Sequence, residues 1–174
     1  DWVLVGGDKG TVTYSKDGGD SFTELDDIGD GQVHLAFDSY FNSNGYVYAA
    51  VAGDDRGVYR TTITAADFKD IDACDMDYQG IVVSSGDGNP KTSASTGGVL
   101  YASYNASYNC SDSGVARLLN PASQSCCGAL DWDYLIDELW TGAWFVSQPS
   151  DIAICGDQSG SNATIWAIDV FGPW

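Results

Sequence analysis

Apolar and polar positions alternate in short bursts along the whole chain. Residues 2–14 read WVLVGGDKGTVTY, residues 46–60 read YVYAAVAGDDRGVYR, and residues 99–117 read VLYASYNASYNCSDSGVAR. Each begins with an apolar or β-branched run, passes through Gly, Asp, Ser or Asn, and restarts after a glycine. Runs of this length bounded by turn formers predict paired strands rather than helices. A fourth copy begins near Ala163 with TIWAIDV. The restarting glycines Gly10, Gly57 and Gly114 lie 47 and then 57 residues apart, the second interval stretched by polar insertions.

Further strands are predicted between the hairpins, at HLAFDSYF (34–41), GIVVSSG (80–86) and AWFVSQ (143–148). A short closing segment follows each hairpin: SFTEL (21–25), FKDI (68–71) and DWDYLI (131–136). Only segments 65–70 and 133–140 carry helical patterning, and the second, where Leu135, Ile136 and Leu139 share a helical face, is read as a strand or a single turn. The repeating unit is then four antiparallel strands in about 45 to 60 residues, the blade of a β-propeller. The expected fold is all-β and propeller-like, a single domain with approximate blades 1–32, 33–78, 79–140 and 141–174. Counted by strands, this is three and a half to four blades, either a compact closure or part of a larger propeller. A first residue that is Asp1 rather than Met predicts a processed chain or a piece of a longer one.

Composition sharpens this picture. Of 25 acidic residues, 23 are Asp and two are Glu, and 21 residues are Gly. Asp and Gly favour turns, so the bias argues against helices. The formal net charge is −18. Without a basic stripe to meet phosphates, nucleic-acid binding is not expected. No apolar run approaches the ~18 residues of a membrane-spanning helix, so membrane insertion is not expected either. Cations remain plausible company for such a surface.

The stretch SKDGGDSF (15–22) carries the most specific pattern. It matches S-x-D-x-G-x-x-[FW] through Ser15, Asp17, Gly19 and Phe22. This resembles the Asp-box (BNR) repeat of sialidases, sortilin-type receptors and secreted bacterial surface propellers. The resemblance implies a turn between the third and fourth strands of a blade. Asp17 would accept backbone N–H bonds, the glycines would take positive φ, and Phe22 would tuck inward. The equivalent segment TTITAADF (61–68) keeps only Thr62 and Phe68, and the third copy has Asn120-Pro121 as a different turn, with Trp132 as a late aromatic.

A sialidase-type resemblance would also imply an arginine triad, a Tyr/Glu nucleophile pair and an Asp acid. The chain has three arginines, Arg56, Arg60 and Arg117, and no Arg-Ile-Pro entry motif. Arg60 and Arg117 occupy equivalent repeat positions, as blade architecture alone would place them. A lone histidine, His34, and no nucleophile-elbow motif argue against Ser-His-Asp chemistry.

The other candidate sites are weaker. The run D-x-D-x-x-D-x-D formed by Asp70, Asp72, Asp75 and Asp77 is a possible calcium site, although it lacks the glycine and terminal Glu of an EF-hand. Five cysteines, Cys74, Cys110, Cys126, Cys127 and Cys155, form no CxxC pair and suit two disulfides plus an odd thiol in an oxidising setting. Sequons at Asn105, Asn109 and Asn162 fall in polar stretches that read as exposed loops, as in a glycosylated surface protein.

The functional expectation is a non-catalytic extracellular or cell-surface module of structural or adhesive type, such as a surface-layer, sheath or filament subunit. Its partners would be copies of itself or other surface proteins, with carbohydrate also possible. The alternatives are a sialidase-like glycoside hydrolase fragment and a receptor-like ligand-binding propeller.

Overall fold

The computed structural model describes residues 1–72, 74–85, 98–105, 113–124, 132–135, 149–155 and 164–169. These form an all-β architecture of four antiparallel sheets with one α-helical turn and a 3-10 turn at Pro121–Ser123. The first sheet holds β1 (Val3–Gly6), β2 (Val12–Ser15) and β3 (Thr23–Glu24) in sequence order. The second is a meander of β4 (Gly31–Phe37), β5 (Tyr46–Gly53), β6 (Gly57–Thr62) and β7 (Lys69–Asp70). The third repeats that meander with β8 (Asp77–Ser84), β9 (Val99–Asn105), β10 (Gly114–Leu119) and β11 (Trp132–Tyr134). The fourth pairs β12 (Pro149–Cys155) with β13 (Thr164–Asp169).

The sheets pack face to face in chain order. β1 lies against β4, β8 against β4 and β5, and β12 against β8 and β9. β5 shows why its sequence is almost continuously apolar. Val47, Ala49 and Val51 point into a core shared with Val12, Tyr14 and Leu25 of the first sheet and its closing segment. Tyr48 and Ala50 point the other way, into a core with Tyr78, Leu100, Ala102 and Tyr104 of the third. Successive strand residues face opposite sides, so a sheet covered on both faces has no polar row.

Two polar bridges also join the second and third sheets. The buried Arg60 guanidinium donates to Pro121 O at 2.5 Å and lies 5.0 Å from the Tyr46 ring centroid. The Trp132 indole donates to Ile71 O at 2.9 Å.

Three expectations need correction. The strand expected at 34–41 ends at Phe37, and Phe41–Asn44 forms the helical turn α1. The cause is Asp38, which is buried and accepts bonds from Tyr40 N (2.8 Å), Asn44 Nδ2 (2.8 Å) and Tyr48 Oη (2.7 Å). Satisfying that carboxylate curls the chain back within one turn. The fourth sheet opens with Pro149–Cys155, a strand not anticipated, while 143–148 lies outside the described residues. Its signal was the alternation of Ile152 and Ile154 with Asp151, Ala153 and Cys155. Finally, Phe22 is not tucked between sheets but is 50% exposed.

Removing the Tyr48 hydroxyl would leave a buried Asp38 oxygen without its donor. Tyr48→Phe is therefore expected to lower unfolding stability by about 1–3 kcal/mol, read as a shift of the urea midpoint with unchanged slope.

Candidate functional site

The turn at 15–22 is closed by its own side chains. Ser15 Oγ donates to Asp17 Oδ1 (2.6 Å) and accepts from Gly19 N (2.8 Å) and Asp17 N (3.2 Å). Asp17 also accepts from Ser21 N (2.9 Å) and Ser21 Oγ (2.6 Å). These donors, the Ser15 hydroxyl first, hold the Asp17 carboxyl well below the ordinary carboxylate range. Gly18 and Gly19 take φ of +80° and +106°, which a side chain would oppose. Both Asp17 oxygens are thus committed within the turn.

The four aspartates proposed for calcium do not converge. Asp72 accepts from Cys74 N, Met76 N and Tyr78 Oη, and so closes its own loop. Asp70 Oδ1 accepts from Asp72 N, and Asp77 Oδ1 reaches back to Gly53 N. Among the described residues, no three His, Cys, Asp or Glu side chains gather closely enough to hold an ion.

Other candidates are placed as follows. Arg117 pairs with Asp133, and Arg60 crosses to Pro121, so two of the three arginines have structural partners. Asn105 lies on β9 with 5% exposure. That overturns the exposed-loop reading, because a side chain buried between sheets cannot carry a glycan. Asn109 and Asn162 lie outside the described residues, as do Cys110, Cys126 and Cys127. Cys74 is half-buried against the core between the second and third sheets. Cys155 is an exposed free thiol whose sulfur accepts the Trp166 indole N–H at 3.2 Å.

Two arrangements were not anticipated. The first is a cleft of about 410 Å³ lined by Asp26, Asp27, Ile28, Tyr59, Asp67 and Phe68. It lies where the segments around the closing strands of two consecutive repeats come together. Tyr59 donates to Asp55 O at 3.0 Å. Burial, then the charges of Asp70, Asp55, Asp72 and Asp75, push its phenol up to about 12. The cleft thus combines an aromatic wall with a strongly negative field. Its sequence signal was an acid-plus-apolar step on either side of the closing strands, Asp27-Ile28 after β3 and Asp67-Phe68 before β7.

The second arrangement is a polar cluster where the opening strands meet. An added Cβ at Gly80 of β8 would lie 3.0 Å from Asp151 Oδ1 and 3.1 Å from Ser103 Oγ, so any side chain there would crowd both. His34 of β4 senses the Asp151 charge. His34 Nε2 and Ser103 Oγ are buried without hydrogen-bond partners. Ser103 is fully buried, which denies it a substrate, so a Ser-His-Asp hydrolase is not built here.

Comparison of the chain with family models, with curated proteins and with solved structures gives no match.

Burial lowers the His34 pKa, and the nearby Asp151 charge only partly offsets this. His34 is then neutral in the fold, while the unfolded chain takes up a proton near the ordinary value of about 6.5. Stability should fall as pH drops below that value, until the folded-state pKa is passed. His34→Gln is expected to flatten this slope in urea titrations between about pH 7 and pH 5. At the 15–22 turn, Asp17→Ala should speed amide exchange at Ser21 and Gly19 without altering exchange in β5.

Proposed function

We propose that the chain is a propeller-like module of Asp-box-type blades, serving as a non-catalytic secreted or cell-surface unit that assembles with copies of itself. Two complete four-stranded meanders packed in sequence, flanked by a three-stranded and a two-stranded sheet, support the blade reading. The observation that carries the assembly reading is the apolar surface left on the outer sheets. Trp166 is 61% and Ile168 54% exposed on β13, and Val5 is 46% exposed on β1. Clustered exposed apolar residues mark interaction surfaces. They stand out on a chain of net charge −18, whose solvated carboxylates otherwise keep copies apart. Several other polar side chains are taken up in closing turns and crossing sheets, including Asp17, Asp38, Asp72 and Arg60. That usage supports a structural role over catalysis.

A second reading is favoured by the cleft of about 410 Å³, within the about 300–1,000 Å³ range of small-ligand sites. Tyr59 and Phe68 offer faces for stacking, and Asp26, Asp27 and Asp67 offer acceptors for hydroxyl or ammonium groups. Such a cleft suits neutral or amino sugars. It repels a sialic acid carboxylate, which weighs against the sialidase alternative at this site.

Sedimentation velocity over a wide concentration range tests the assembly reading: the expected result is mass that rises with concentration, and a monomer throughout would refute it. For the cleft, chemical-shift titration should show neutral or amino oligosaccharides perturbing Tyr59. Phe68→Ala should weaken that binding about tenfold, roughly 1.4 kcal/mol of stacking.

A further inference from the structure

The sheet-to-sheet packing repeats one face-on-face relation, and both halves of it remain unused on the molecule. Residues 47–50 (VYAA), 100–103 (LYAS) and 165–168 (IWAI) occupy matching positions on the second strands of three sheets. Residues 3–6 (VLVG) hold those positions on β1. On β5 the first and third residues face the preceding sheet and the second and fourth the following one, Leu100 and Ala102 of β9 face the preceding sheet likewise, and strand alternation gives β1 and β13 the same sense. Thus Leu4 of β1 packs toward Val47 and Ala49, and Tyr48 and Ala50 pack toward Leu100 and Ala102. On the far side of the third sheet, Ser103 is buried beneath β12.

At the ends of the stack the same faces are open. Trp166 and Ile168 correspond to Tyr48 and Ala50, both fully buried, yet they are the most exposed large apolar residues described. Val3 and Val5 correspond to Val47 and Ala49, also fully buried, yet Val3 is only half-buried and Val5 is exposed. We infer that the Trp166–Ile168 face of one copy docks on the Val3–Val5 face of a second copy, continuing the sheet-on-sheet interface already made three times inside the chain. The occupant is a second copy because the required complementary face is present, uncovered, on this same molecule. Two different patches meet, so the contact is heterologous and propagates into a ring or an open filament rather than stopping at a dimer. The inference rests on the assembly reading above and specifies its surface.

With −18 charges on each copy, docking should strengthen as salt screens the repulsion, the Debye length falling from about 10 Å at 0.1 M to about 3 Å at 1 M. The test is sedimentation velocity at high salt on the full chain, on Trp166→Asp, on Val5→Asp and on their equimolar mixture, with circular dichroism as the check on folding. The wild type should give a concentration-dependent ladder. Each variant alone should associate at least tenfold more weakly. Their mixture should recover a dimer and stop there, because one intact face of each kind remains. Ile168→Asp supplies an independent break of the same face, and Leu135→Asp, 42% exposed just after β11 of the third sheet and so on neither end sheet, should assemble like the wild type.

Three outcomes overturn the inference while leaving self-assembly standing: undiminished assembly of either variant, full dimerisation of Val5→Asp alone through two Trp166 faces, or equal loss in Leu135→Asp. A wild-type monomer at every salt and concentration would remove the assembly reading and this interface together.

Discussion

Burial of both faces of the same sheet is the constraint on which the structure depends. β5 is the clearest case. Its residues alternate between two cores, with Val47, Ala49 and Val51 on one side and Tyr48 and Ala50 on the other. A strand in a one-sided sheet can place polar residues on alternate positions, but this one cannot. Each sheet therefore acts as a wall shared by two neighbours, and a substitution on either side is felt in a different core. The same constraint accounts for the small residues Ala50 and Ala102, which share one core with Tyr48 and Tyr104. Close approach of two sheets leaves room for little more than a methyl group beside Tyr48 or Tyr104.

Acidity looks at first like a surface property, yet much of it is architectural. Asp17, Asp38, Asp72 and Asp77 each accept backbone or hydroxyl donors that would otherwise end in a turn without partners. Asp is short enough to reach a backbone N–H two to four residues on, which Glu does less readily. The preference for Asp over Glu therefore follows from turns rather than from ligand chemistry. Arg60 is the counterpart between sheets: its planar fork meets a carbonyl of the next meander while its face covers Tyr46.

The cleft and the inner polar cluster follow from the same repeat by different routes. Where Asp27-Ile28, after the closing strand of one unit, and Asp67-Phe68, before that of the next, line one space, they create an acidic, aromatic concavity. Where the opening strands meet, the missing side chain of Gly80 lets Asp151 and Ser103 share one space, with His34 close enough to feel the Asp151 charge. Neither feature needs an insertion or a separate domain. Stacking of consecutive units brings these segments together, and small departures from the repeat decide what gathers there.

The all-β character, the hairpin pairings around Gly10, Gly57 and Gly114, and the side-chain closure of the 15–22 turn were legible in the sequence. All are local: they depend on strand-forming runs, turn formers and a side chain within a few residues of its partner. The end of β4 at Phe37 was not legible, because it depends on Asp38 meeting Tyr48 of the next strand. Nor was the burial of Asn105, since its polar neighbours suggest a loop while its register on β9 turns it into the gap between two sheets. Phe22 was misread for the complementary reason, a local pattern that implied burial where no neighbouring sheet covers it. The sequence by itself thus determined which segments are strands and how each turn closes, because those energies are spent within a few residues. Only the tertiary structure decided which faces are covered, which carboxylates stand beside an aromatic wall and which polar atoms share an interior space, because those outcomes depend on how one sheet is laid on the next.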